Sequence, residues 1–473
     1  MDRLIVVSNR VALPNETRAG GLASAMHAAL QEHGGVWFGW SGRLGSRKEE
    51  GALHHTEAEG ISYVTMDMTR SEYDAYYNCF SNRTLWPLLH YRPDLIEFRR
   101  SNYEGYLRVN TLFADHLAPL IKPDDQIWVH DYHLIPLAAM LRERGIRNRI
   151  GFFLHTPLAA PSLLIVLPPH RKVIGALADY DLVGVQTQSD LHALREYFAQ
   201  EFEATLKPGG YIDVDGKEFR ALAFPISIDT AGVIASARES AATTPVTRLR
   251  RSLDGRALVI GVDRLDYSKG IPERFDAFGR LLANADSLRN RVSLLQIAPV
   301  SRSEVPEYRS IRRDLERRAG HINGMYGDPN WVPIRLVCKT IRPQLLNGYL
   351  RLARVALVTP FRDGMNLVAK EYVAAQDPED PGVLILSRFA GAAEQMREAL
   401  LVNPYDPDDV AEALERALSM RLRERVKRWR ALMDLLEHED IGAWRNRFLR
   451  ALHGNAAPDK RGKSPAAQPI APV

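Results

Sequence analysis

Short runs of Val, Ile and Leu, each closed by a polar or glycine-containing turn and followed by a stretch of helical spacing, constrain this chain more than any other feature. They are Leu4 to Val7, Gln126 to Val129, Ile150 to Leu154, Leu182 to Val185, Ala257 to Val262, Val292 to Ile297, Val355 to Val358 and Val383 to Leu386. A continuous apolar run of this length suits a strand buried on both faces, and alternation with helices implies parallel strands. The fold class predicted is α/β with parallel sheets.

A chain of 473 residues exceeds what one core usually organises, so two large units are expected. The stretch Thr230 to Pro245, crowded with Ala, Ser and Thr, lies between the two families of strands and has the composition of a connection. It divides the chain into units 1–230 and 231–453, the second including a last helical pattern from Asp440 to Leu452. From Gly454 the chain is Ala, Pro, Lys and Gly without apolar periodicity, and 454–473 reads as a disordered tail.

The 62 basic and 58 acidic residues nearly cancel, and the Arg clusters at 309–313 and 416–430 interleave with Glu in helical patterns, so no nucleic-acid partner is indicated. Cys79 and Cys338 stand far apart without a second Cys or a His at ligand spacing, which points to a reducing compartment. The chain opens directly into a strand with no charged leader, and no apolar run approaches the roughly 18 residues of a membrane helix. A cytoplasmic protein with no membrane partner is expected. Its oligomeric state is open, a homo-oligomer included.

Ligands of open parallel sheets bind beyond the carboxyl ends of the strands. The residues just past the strand ends are unusually polar here: Ser8-Asn9-Arg10, His130-Asp131, His155, Gln186-Thr187, Asp263-Arg264, Ser301-Arg302 and Arg362-Asp363. Such groups on both halves suggest a cleft between two units. Arg264 and Lys269 stand at a strand-to-helix turn where a planar fork and a flexible ammonium can grip a diphosphate. The alternative is a salt bridge from Arg264 to Asp263 or Asp266. Asp363 to Glu371 follows a strand and opens a helix, whose N-terminal N–H groups could bind a phosphate, leaving Asp363 for sugar hydroxyls and Glu371 for ribose hydroxyls. Asp363 could instead simply cap that helix. Gly20-Gly21, ahead of another helix, permits close approach of backbone to ligand.

Other chemistries fare worse. The dinucleotide fingerprint and the P-loop are absent. His130 and His133 are spaced like metal ligands, but His130 ends a strand and no third ligand is apparent. Asp179-Tyr-Asp181 runs into a strand, and Asp213-Val-Asp215-Gly-Lys217 has the chemistry of a hairpin turn. Neither a metal nor a cofactor is expected.

These residues fall in long, specific motifs: Val7-Ser-Asn-Arg10, GVWFGWSG from Gly35 to Gly42, Tyr77-Asn78, Leu85-Trp86-Pro87, WVHDYH from Trp128 to His133, VDRLDYSKG from Val262 to Gly270, and TPFRDGMNLVAKEY from Thr359 to Tyr372. From Leu4 to Leu452 the chain resembles the trehalose-6-phosphate synthases, retaining glycosyltransferases with two Rossmann-like domains facing across a cleft. The resemblance implies transfer of glucose from a nucleotide-glucose, UDP-glucose by default and GDP- or ADP-glucose otherwise, to glucose 6-phosphate. It makes 1–230 the acceptor-binding unit and 231–453 the nucleotide-sugar unit.

Residue by residue, it implies that Arg264, Lys269, the backbone of Leu367 and Val368 in the turn opened by Asn366, and Glu371 hold the nucleoside diphosphate. Ile341 lies near the base, Gly20 and Gly21 approach the phosphates, and His155 and Asp363 contact the transferred glucose. Arg10, Tyr77 and Arg302 clamp the acceptor phosphate, and Asp131, Trp40 and Trp86 line the acceptor sugar, although both Trp residues could equally be core. The chain departs from the family pattern at His155-Thr-Pro-Leu-Ala-Ala-Pro161, where His-Ile-Pro-Phe-Pro is expected, and at Ile341, where an aromatic residue often sits. No residue in these motifs stands out as a nucleophile with a partnered base, as a two-step retaining reaction would need. The resemblance implies front-face displacement instead. A glucosylglycerol-phosphate synthase and a non-catalytic sugar-phosphate sensor are the alternatives.

Overall fold

The computed structural model, described over residues 3–14, 21–46, 51–300 and 306–454, turns every one of the apolar runs into a strand. Along the chain the strands are β1 (Leu4–Arg10), β2 (Gly35–Gly45), β3 (Leu53–Ala58), β4 (Ile61–Thr69), β5 (Gln126–His130), β6 (Ile150–Phe153), β7 (Leu182–Val185), β8 (Thr205–Leu206), β9 (Tyr211–Val214) and β10 (Lys217–Ala223). The later strands are β11 (Ala257–Val262), β12 (Val292–Ile297), β13 (Ile334–Val337), β14 (Val355–Val358), β15 (Val383–Ser387) and β16 (Leu400–Val402).

Two sheets result, in the orders β3-β4-β2-β1-β5-β6-β7-β10-β9-β8 and β13-β12-β11-β14-β15-β16. The first is parallel from β4 to β10. The second is parallel throughout and has the doubly wound order of a Rossmann sheet. Strand order reverses between β1 and β5 in the first sheet and between β11 and β14 in the second, and a crevice forms at each such switch point.

Of the strands outside the apolar runs, β3, β8, β13 and β16 form the sheet edges, and β2, β4, β9 and β10 lie inside the first sheet. β3, Leu-His-His-Thr-Glu-Ala, is half-exposed along its length and pairs antiparallel with β4. β8 and β9 extend the other edge antiparallel. Asp213 to Lys217 is the expected hairpin: Asp215 and Gly216 have φ of 51° and 81°, and the Gly216 N–H donates to the Asp213 carboxylate at 2.9 Å.

Two other segments differ from the expectation. The stretch read as a connection is largely helical, Thr230–Ser240 and Thr244–Leu253, because Asp229 caps the first helix through the Gly232 N–H and Pro245 sits in the permissive first turn of the second. The last helix, Ile441–Leu452, was expected with the second unit and instead lies on the first sheet. Phe448 stacks on Trp128 with ring centroids 4.5 Å apart, and Trp444 donates its indole N–H to the Phe224 carbonyl. Gly151 and Gly184 leave the groove for it, since a Cβ on either would stand 2.8 Å from the Phe448 ring. One continuous apolar cluster therefore runs from Trp128 and Phe153 through Trp444 to Leu258, Ile260 and Val358 of the second sheet.

Candidate active site

On the second sheet, β11 ends in the turn Asp263 to Gly270 and β14 in Thr359 to Asn366, so the two segments flank the switch point. Buried Arg274 ties them together, donating to Asp263 at 2.6 Å, to Gln296 Oε1 at 2.9 Å and to Thr359 Oγ1 at 3.0 Å. Gly270 has φ of 59° and lies so close that a Cβ would come 2.5 Å from the Thr359 carbonyl. Asp263 is thus committed to Arg274, and Asp266 accepts from the Ser268 N–H at 3.0 Å. Arg264 takes neither as a salt-bridge partner; its exposed guanidinium lies 5.5 Å from the centre of the Trp86 ring on the opposite unit.

Lys269 Nζ donates to Asp363 Oδ2 at 2.5 Å, and the Asn366 amide donates to the same oxygen at 3.0 Å. Burial alone would push the Asp363 carboxyl up, but Lys269 and the hydrogen bonds outweigh it, and the group stays below its ordinary range. Asp363 is not the helix cap. Asn366, at φ 77°, accepts from the Ala369 N–H and caps Leu367–Ala375, which leaves Leu367 and Val368 in the first turn, where N–H groups lie ahead of the helical ladder. Glu371, one turn on, is partly buried, and desolvation pushes its carboxyl up to about 7. Ile341 packs half-buried just before the helix Pro343–Leu352.

On the first sheet, β1 delivers Arg10 and β5 delivers Asp131 to the other switch point. Arg10 is exposed, with its guanidinium against Gly42, where a Cβ would come within 3.0 Å of it. Asp131 holds φ 76° and ψ 165°, a region costly for any side chain and found where a site imposes it. Its N–H donates to the Phe153 carbonyl at 2.8 Å, and its carboxylate accepts from the His155 N–H at 3.2 Å. His130 faces His155, Nδ1 to Nε2 at 3.0 Å, whereas the His133 ring stacks on Tyr77 at 5.6 Å, so the two histidines are committed in different directions. Tyr73 and Tyr77 stack at 5.2 Å along Tyr73–Leu85, an uncommon helix wound with i→i+5 hydrogen bonds, and Trp40 tilts against both. Trp40 and Trp86 are only 7% and 6% exposed, so each presents an edge while its body is core.

The two units meet over this site. The His155 carbonyl and Thr156 sit directly on Gly364. Arg362 lies 3.9 Å from the Tyr91 ring centre, and the Tyr91 hydroxyl accepts from the Ala160 N–H at 3.1 Å. Glu394 accepts from the Gln188 and Ser189 N–H groups at 3.0 and 3.1 Å, at the N-terminus of Gln188–Phe202. The structure thus brings together Arg264, Lys269, Asp363, Asn366, Leu367, Val368 and Glu371 on one wall, and Arg10, Trp40, Tyr77, Trp86, Asp131 and His155 on the other. Gly21 opens the helix Gly21–His33, while Gly20 and Arg302 lie outside the described residues. Sequence reasoning missed Gly364, Tyr91 and Glu394. Thr187-x-x-Asp190, a capping-box signature, marks the helix end that Glu394 meets, but nothing local marks its partner.

Two Rossmann-like sheets whose switch points face one another across a cleft, one lined by cations and a helix N-terminus and the other by aromatic and acidic groups, define a glycosyltransferase of the GT-B architecture. The chain belongs to glycosyltransferase family 20, whose pattern matches residues 5–454. It is 47% identical to a trehalose-6-phosphate synthase of Sinorhizobium fredii, covering 98% of this chain and 100% of that protein. A UDP-forming alpha,alpha-trehalose-phosphate synthase from Burkholderia xenovorans, solved with glucose-6-phosphate, superposes with a TM-score of 0.92 at 48% identity, covering 96% and 100% of the two chains. An E. coli structure bound with UDP-2-fluoro glucose superposes with a TM-score of 0.91 at 45% identity, covering 95% and 99%.

Proposed function

We propose that this glycosyltransferase moves glucose from UDP-glucose to glucose 6-phosphate with retention, releasing UDP and alpha,alpha-trehalose 6-phosphate. The observation that carries the reading is the pairing of Lys269, Asp363 and the Leu367 helix N-terminus with the His155 and Asp131 edge directly across the contact at Gly364. Arg264, Lys269 and the Leu367 and Val368 N–H groups hold the diphosphate, Glu371 the ribose, and Ile341 flanks the base. By the family resemblance, Gly20 and Gly21 are the glycines assigned to the phosphates. His155 and Asp363 hold the transferred glucose; Arg10, Tyr77 and Arg302 hold the acceptor phosphate; Asp131, Trp40 and Trp86 line the acceptor ring.

As the bond from the anomeric carbon to the diphosphate oxygen breaks, the acceptor hydroxyl oxygen bonds to that carbon from the same face, and its proton passes to the departing diphosphate. Catalysis then rests on positioning and on cations already placed where negative charge grows. Lys269, paired with Asp363, supplies one such cation. The domain boundary falls near Thr230, with the last helix returned to the first unit. The two unpaired cysteines and the phosphorylated substrates support a cytoplasmic enzyme, and no helix among the described residues is long and apolar enough to cross a membrane.

The test is a matrix of UDP-, GDP- and ADP-glucose against glucose 6-phosphate and glycerol 3-phosphate, with products identified by mass and anomeric configuration. UDP-glucose with glucose 6-phosphate should give the alpha,alpha product. Turnover with glycerol 3-phosphate alone would make this a glucosylglycerol-phosphate synthase, and no nucleotide release with any pair would leave a sensor.

A further inference from the structure

His130 ends β5 and is 1% exposed. Its Nδ1 lies 3.0 Å from His155 Nε2, and the two rings stack at 5.3 Å. Its other nitrogen, Nε2, is buried with no hydrogen-bond partner among the described residues. The same is true of the indole nitrogen of Trp128, whose ring lies 4.6 Å from that of His130. His155 is only partly buried, and with Nε2 engaged its accessible edge is the Nδ1 side.

Burial keeps both imidazoles neutral, holding His130 well below its ordinary range and His155 at about 3. Between two neutral rings one nitrogen must donate and the other accept. If His155 donated from Nε2, His130 would carry its proton on the orphaned Nε2. A second unsatisfied N–H would then stand in the same dry stack as the Trp128 indole, which can only donate. If His130 donates from Nδ1, its Nε2 keeps a lone pair, and the stack holds one orphaned donor and one orphaned acceptor instead of two orphaned donors. The second arrangement is the cheaper one, and it leaves the His155 proton on Nδ1.

We propose that His130 is a positioning residue that locks His155 in the Nδ1–H tautomer, so that His155 meets the transferred sugar as a hydrogen-bond donor. This rests on the placement of His155 against the donor glucose proposed above. It gives His130 a reason to be buried with one nitrogen unsatisfied: the other sets the polarity of a sugar-binding group. A His155 of the opposite tautomer would present a bare nitrogen and could only accept from a sugar hydroxyl.

Neutron diffraction from the perdeuterated, ligand-free enzyme reads the tautomers directly. Deuterons are expected on His130 Nδ1 and His155 Nδ1, and a deuteron on His155 Nε2 would overturn the proposal. In solution, His130→Phe keeps an aromatic ring in the stack but removes the donor. Turnover should fall by about tenfold to a hundredfold, with UDP affinity by titration unchanged within about twofold. His130→Asn, whose amide N–H can occupy the place of Nδ1, should recover most of the loss. Full turnover in His130→Phe, or no recovery in His130→Asn, would also overturn it. Unchanged turnover in His155→Ala would instead remove the sugar contact while leaving the neutron result standing.

Discussion

Gly364→Ala tests whether the contact between the two units is the working geometry. A Cβ at Gly364 would lie 2.1 Å from the His155 carbonyl oxygen and 2.9 Å from the Thr156 carbonyl carbon, both backbone atoms that follow β6. The Gly364 backbone is not left-handed, so alanine is conformationally acceptable there and the conflict is purely between the units. To regain an ordinary contact of 3.4 Å, the His155 carbonyl must retreat by about 1.3 Å. A displacement of about 1 Å between groups that must align for reaction can cost about a hundredfold in rate. His155 and Asp131 move together, because the His155 N–H bonds the Asp131 carboxylate. Turnover, followed as UDP release, should therefore drop about a hundredfold, while UDP affinity by calorimetric titration stays within about threefold, since Lys269, Glu371 and the helix N-terminus sit on one unit. The melting temperature should fall as well, because the atoms that must yield are backbone and that cost exceeds the slight unfolded-state gain of alanine over glycine. Wild-type turnover would mean that catalysis occurs in a more open arrangement. Equal losses of turnover and UDP affinity would mean that the substitution damages the nucleotide wall rather than the contact.

Arg264→Ala should weaken UDP binding by about 1.5 to 3 kcal/mol and lower turnover as well, because the contact strengthens as diphosphate charge grows. Arg10→Ala should raise the KM for glucose 6-phosphate and leave UDP affinity, titrated without acceptor, nearly unchanged; the reverse pattern would exchange the two anion sites. Glu371 holds its proton up to about 7 in the folded chain and to about 4.5 in the unfolded one, so across that window the folded state binds more protons and stability falls as pH rises. Glu371→Gln should flatten that part of the melting-temperature profile, and an unchanged slope would refute the assignment. Phe448→Ala should cost about 3 to 5 kcal/mol in chemical denaturation, since its ring fills the groove over Gly151 and Gly184. Activity should survive chelation, and a loss with EDTA restored by magnesium would contradict the proposed leaving-group chemistry.

The α/β class was legible in the chain because strands buried on both faces must be apolar throughout, and Val259 to Ile260 or Val355 to Val358 tolerate nothing else. The polar residues at strand ends were legible for the complementary reason: Arg10, Asp131, Arg264 and Asp363 interrupt that pattern where a sheet opens into a crevice. Long motifs then named the chemistry. The edge strands β3 and β8 escaped notice because they bury little and carry no apolar signal. Tertiary structure alone decided how the groups pair. That Asp263 serves Arg274 while Arg264 reaches Trp86, that Asn366 rather than Asp363 caps the helix, and that His130 turns to His155 are choices among neighbours that local spacing leaves equivalent. The last helix lies on the first sheet because Gly151 and Gly184, far away in sequence, hollow a groove for Phe448. The two walls become one site because Gly364 has no side chain where the His155 carbonyl arrives. Periodicity reports which face of an element is buried, but burial against which partner depends on shapes brought together only when the chain closes.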